Sequence, residues 1–174
     1  MPRKKNILQV LEAGDRRTIG RSNQVAAIVS KNTKLFSELI AGLWSDNTVV
    51  RMRAADAAEK VTRTNPELLQ PHKKELLGLM MESSQQELRW HLAAMVPRLT
   101  LSNKERPHVV SVLNSYLEDR SSIVKTFALQ GLADLASDDP GLRPPVLELL
   151  LHATRHGTPA MKARSRKLLA RMER

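Results

Sequence analysis

The chain has 174 residues, 41% hydrophobic and 26% charged, which is enough apolar material for a continuous core and too much for a disordered tail. It has no cysteine, which excludes disulfides and thiolate metal sites, and its histidines (His72, His91, His108, His152, His156) show no metal-ligand spacing, so neither a metal nor a cofactor is expected. The net charge of +10 sits at the two ends: residues 1–34 hold eight Lys or Arg against two Asp or Glu, residues 155–174 seven against one, and residues 35–154 thirteen against fifteen.

In chain order, residues 1–5 read as a flexible basic arm (Arg3, Lys4, Lys5) with no apolar run of signal-peptide length behind it. No stretch reaches the roughly 18 apolar residues of a membrane span, so a soluble, cytoplasmic protein without membrane insertion is expected. From Ile7 onward, apolar residues recur at helical spacing in alternating first and second segments. Residues 7–11 precede a faint second segment through Ile19, Val25, Ala26 and Val29. Residues 35–43, 76–81, 109–117 and 146–151 each precede a clearer one, at 50–61, 88–99, 124–135 and 161–172.

The four clear second segments align without gaps, starting 38, 36 and 37 residues apart. In the clearest copies apolar or small residues fall at offsets 0, 4, 7, 8 and 11, as at Val50, Ala54, Ala57, Ala58 and Val61. That spacing lines one face of a helix. Prolines at Asn65-Pro66, Gln70-Pro71, Arg106-Pro107, Pro140 and Arg143-Pro144-Pro145 lie between units, and short polar links within units are placed to cap the second helices. The scarcity of aromatics argues against strands. The predicted fold is all-α, with approximate helix-pair units 6–31, 34–65, 71–101, 107–138 and 144–174 in a single domain, 1–174.

A short polar turn, an apolar residue, Arg or Lys, then small residues on one face resembles the HEAT repeat. Residues 117–129, Leu-Glu-Asp-Arg-Ser-Ser-Ile-Val-Lys-Thr-Phe-Ala-Leu, carry the resemblance most closely. It implies a right-handed α-α superhelix, a solenoid of about five HEAT-like pairs, whose second helices line a concave surface. HEAT repeats often set an Asp in the turn six residues before the basic position, as a ladder between units. Here that position is Arg51, Arg89, Lys125 and Lys162, and Asp119 with Lys125 alone fits outright; Arg89 and Lys162 have no evident acidic partner.

The candidate binding residues follow from these rows: Arg51, Arg89, Lys125 and Lys162 in one; Arg53, His91 and Arg164 with Phe127 in the next; and Arg166, Lys167 and Arg171 on the last helix. Deeper rows mix charges, with Asp56, Ala94 and Gln130 beside Lys167, and Lys60, Arg98 and Asp134 beside Arg171, so the surface is not uniformly cationic. Trp44 and Trp90 are expected to pack between units, and Pro97 to kink its helix. No catalytic motif is present, and no enzyme is expected. Alkylpurine DNA glycosylases are built from HEAT-like repeats, and Trp90, Asp56, Arg53 and Arg89 supply their residue types, but no motif of that family maps here. The expected function is a non-enzymatic scaffold holding a protein partner on its concave surface, with DNA, RNA or polyanion binding through the basic ends as the second reading.

Overall fold

The computed structural model describes residues 6–174; the basic arm predicted at 1–5 lies outside them. The described residues are all-helical, with no strand and ten α-helices: α1 (Ile7–Glu12), α2 (Ser22–Lys31), α3 (Phe36–Ala41), α4 (Thr48–Thr62), α5 (Lys73–Glu82), α6 (Gln86–Met95), α7 (Glu105–Tyr116), α8 (Ser122–Ala136), α9 (Arg143–His156) and α10 (Pro159–Met172). The chain divides into two compact units, up to Lys73 and from Lys74. The boundary follows a 3-10 segment, Pro66–His72, whose two prolines interrupt α-helical hydrogen bonding.

In the first unit α1, α2 and α3 all pack on α4. Ala54, Ala57 and Ala58 are fully buried on α4, among Leu11, Val25, Val29, Leu39, Leu43 and Val61. Small residues set this spacing. A Cβ on Gly42 would stand 2.7 Å from a Leu8 methyl and 2.9 Å from the Ala54 Cβ.

In the second unit α8 is the hub, touching α6, α7, α9 and α10. Its buried Leu129 and Leu132 lie in a core with Leu76, Met80, Leu92, Met95, Leu113, Leu150 and Leu168. Gly131 permits the close crossing of α6, because a Cβ there would come within 2.7 Å of the Ala93 carbonyl oxygen.

The polar links cap second helices at α4, α8 and α10, where Asn47 Oδ1, Ser121 Oγ and Thr158 Oγ1 accept from the amides of Val49, Val124 and Met161. The α6 cap position, Gln85, makes no such bond. A capping box opens α7: Glu105 N–H donates to Ser102 Oγ, and Ser102 N–H to Glu105 Oε2. Pro97 does not kink a continuous helix. The α-helix stops at Met95 and tightens into a 3-10 turn, Val96–Arg98, which leaves fewer α-type bonds for proline to break.

Candidate functional site

On α8 the residues Ile123, Phe127, Gln130 and Asp134 fall one helical turn apart on a single outward stripe. Ile123 is 46% exposed, and the other three are half-buried. The repeat-equivalent positions on α10 are Ala160, Arg164, Lys167 and Arg171, and the two stripes are joined. The Arg164 guanidinium lies 5.3 Å from the Phe127 ring centroid, as a cation–π pair, and its Nη1 donates to Gln130 Oε1 at 2.7 Å. Gln130 Nε2 donates to Asp134 Oδ1 at 2.9 Å, and Arg171 pairs with that same oxygen at 2.9 Å. The result is a polar, internally bonded surface with an apolar edge at Ile123.

Arg53 requires a correction. Periodicity sets it on the same outward row as Arg164, but it is fully buried. Its Nε donates to the Thr18 carbonyl, its Nη1 to those of Leu11 (2.6 Å) and Ala13 (2.9 Å), and its Nη2 to that of Asp15. Leu11 and Ala13 end α1, so one guanidinium caps that helix and ties down the link that follows. Arg53 is therefore not available to a ligand. Asp56, half-buried beside it, accepts from Ser22 Oγ and Lys60 Nζ, and Lys60 also donates to Asn23. Lys60 is thus a tie between α2 and α4, not a bare surface charge.

The Arg51 row is structural in its first two members. Arg51 Nη1 donates to the Ser45 carbonyl and Arg89 Nε to the Ser83 carbonyl, each six residues back across its own turn. Arg89 also has the acidic partner that its turn lacks: Nη1 meets Asp119 Oδ2 at 2.6 Å, thirty residues on. Burial would raise the Asp119 carboxyl, but the Ser121 amide, the Arg89 hydrogen bond and the charges of Arg89 and Lys125 together hold it below its ordinary value. Lys125 and Lys162 are half-buried without a turn carbonyl of their own. His91 is buried, with Nδ1 2.6 Å from the Glu87 carbonyl oxygen, and its Nε2 accepts from Trp90. Arg166 and Lys167 are exposed. Trp44 is 47% exposed at the end of a 3-10 turn, so it does not pack as expected.

Two arginines 37 residues apart play matching parts that the row pattern does not mark. Arg106 Nη1 donates to the Leu135 carbonyl at 3.1 Å, and Arg143 Nη2 donates to that of Met172. In each, the arginine opening the first helix caps the end of the second helix of the same hairpin. The signal was visible as Arg-Pro at 106–107 and again at 143–144. His152 and His156, set aside for want of ligand spacing, lie one turn apart on α9 with ring centroids 4.7 Å apart.

Clefts in the second unit include an apolar one and a mixed one. One, of about 210 Å³, is apolar and runs between α5 and α7 past Leu77, Met80, Met81, Val109 and Val112. The other, of about 370 Å³, includes Glu118, Lys125, His152, His156 and Met161. Among the described residues, no helix is long and apolar enough to cross a membrane, and no three His, Asp or Glu side chains cluster as a metal cage. Comparison with protein-family models, curated proteins and solved structures gives no match to this chain.

Proposed function

We propose that the chain is a HEAT-like interaction scaffold, its five helix pairs forming a right-handed solenoid, and that it binds a protein partner on the outward stripes of its second helices. The reading is supported by the fate of the predicted cations. Arg51, Arg53, Arg89, Arg164 and Arg171 all donate to protein carbonyls or side chains, and what α8 presents is Ile123 beside the Phe127–Arg164 stack and the Gln130–Asp134 pair. An apolar edge with satisfied polar groups around it suits a partner helix better than a phosphate backbone. A photoreactive side chain replacing Gln130 is expected to yield protein adducts that the same probe at Glu148, exposed on α9, does not. Equal adducts at both positions, or none at Gln130, sink the reading.

Polyanion binding is the second reading, favoured by the exposed Arg166, Lys167 and Arg174 at the end of α10. It requires duplex affinity that falls steeply with salt and is lost in an Arg166→Gln, Lys167→Gln variant. Anisotropy of a labelled duplex at low and moderate salt separates the two.

A further inference from the structure

His152 and His156 are four residues apart on α9, the spacing that brings two side chains onto one helix face and lets a histidine pair share one ion. Their ring centroids are 4.7 Å apart, with 41° between the planes. Two imidazoles bound to one ion at metal–nitrogen distances of about 2.0–2.1 Å bring their centroids within about 4.5–5.5 Å of one another, a range that includes the observed separation; a rotation about the side-chain bonds of these exposed rings is what would turn a nitrogen of each toward a common point.

Both rings are exposed, and no described residue hydrogen-bonds either of them. The contrast is with His91, engaged by Glu87 and Trp90, and His72, whose Nε2 lies 3.3 Å from Ser37 Oγ. The pair opens on the 370 Å³ cleft, whose lining residues also include Glu118 and Lys125. The lysine opposes a cation, but its charge acts in part on Asp119, which it helps to hold ionised.

We propose that His152 and His156 form a two-nitrogen site for a divalent transition metal of the imidazole-preferring group. Water completes the coordination sphere, and the ranking follows the usual order, with Cu²⁺ tightest and Ni²⁺ and Zn²⁺ weaker. The site stands apart from the binding stripes and does not depend on what they hold.

Titration of the untagged full chain with Cu²⁺, read by calorimetry and electron paramagnetic resonance, tests it. The expected result is one tight Cu²⁺ per chain with hyperfine structure from two nitrogens, displaced by excess Zn²⁺. His152→Gln and His156→Gln should each weaken binding by about tenfold or more and leave a single nitrogen. His108→Gln, at an exposed position on α7, should change neither. Because both rings are exposed, the variants should melt like the parent when metal-free. Unchanged affinity in the His152→Gln, His156→Gln double variant, or an equal loss in His108→Gln, overturns the site.

Discussion

At the fourth residue of the aligned second segments, α4 carries Arg53 and α10 carries Arg164, and the two are used in opposite ways. Arg53 is fully buried under the link between α1 and α2, with its guanidinium spread over four backbone carbonyls. Arg164 is half-buried, stacked on Phe127 and bonded to Gln130 at a surface that remains open. The link decides the difference. The long link between α1 and α2 turns the Leu11, Ala13, Asp15 and Thr18 carbonyls onto Arg53, whereas Arg164 meets the Phe127 ring and the Gln130 amide oxygen instead. A row on a helical wheel therefore predicts direction but not cover, and the two units diverge at one position for a reason local to their loops.

The largest effect expected from this comparison is at Arg53. Arg53→Met keeps much of the side-chain bulk and deletes every donor, leaving the buried Leu11 carbonyl unpaired at a cost of about 1–3 kcal/mol and the part-buried Ala13 and Thr18 carbonyls to water, while Asp15 keeps the Thr18 donors; a loss of about 2–4 kcal/mol is predicted in a urea melt. Hydrogen exchange should accelerate first in residues 7–31. Gly20 sharpens the point: it sits at φ +53°, and a Cβ there would lie 2.6 Å from the Arg53 guanidinium carbon, so the link has closed onto the arginine. A loss below about 1 kcal/mol would mean that water already serves these carbonyls.

Next come the close crossings, one in each unit. Ala57→Leu in α4 and Gly131→Ala in α8 both insert atoms where there is no room, at a fully buried alanine and against the Ala93 carbonyl, and each should cost about 1–3 kcal/mol. Lys60→Leu is the comparison, since it removes only a partly exposed pair with Asp56 and an exposed bond to Asn23 and should cost about 0.5 kcal/mol, below either crossing variant. Equal losses at Ala57 and Lys60 would show that the register of α4 is wrong.

Tyr116 gives a smaller effect with a pH signature. It is buried, and its hydroxyl donates at 2.6 Å to the Met80 carbonyl in the last turn of α5. Burial pushes the phenol up to about 12 from 10.0, with the Arg89 charge working against the rise and Asp119 adding to it. A raised phenol means the folded state favours the protonated form, so this stabilisation is complete below pH 10.0 and is lost as pH climbs through about 12. Tyr116→Phe should lose about 0.5–1.5 kcal/mol near neutral pH and lack that alkaline decline. As the chain has one tyrosine, phenolate absorbance reports the site directly, and a midpoint near 10 would contradict the burial argument.

The all-helical character, with ten α-helices among the described residues, was legible because the 3.6-residue period and the proline punctuation are properties of short stretches. The pairing of Arg89 with Asp119 was not, because the repeat pattern marks an acid six residues before the arginine and this acid stands thirty residues after it. Arg53 was illegible for a different reason: a fully buried cation is identified by the carbonyls around it, and backbone carbonyls leave no mark in a sequence. His152 and His156 carried no ligand signal in the sequence, because a four-residue separation means one face only where the helix is continuous through both, as α9 is.

The smallest effect tests whether the hairpins of the second unit are built to one plan. Arg106 and Arg143 occupy equivalent positions, each at the start of a first helix, each followed by proline and each capping the end of its own second helix. Their settings differ in two respects: Arg106 is half-buried where Arg143 is exposed, and Arg106 also stands 3.5 Å from Asp138 and 4.0 Å from Asp139, so its charge is partly met by carboxylates as well as by the Leu135 carbonyl. Exposed pairs of that length contribute little, which leaves the carbonyl cap as the shared element. Arg106→Gln and Arg143→Gln should therefore cost similar amounts, about 0.5–1 kcal/mol each, with faster exchange confined to the last turns of α8 and α10 respectively. High salt should narrow any excess at Arg106, since only the carboxylate part is screened. If Arg106→Gln costs much more than Arg143→Gln at high salt as well, the two arginines do different jobs, and the recurrence of Arg-Pro is an accident of sequence rather than part of the repeat.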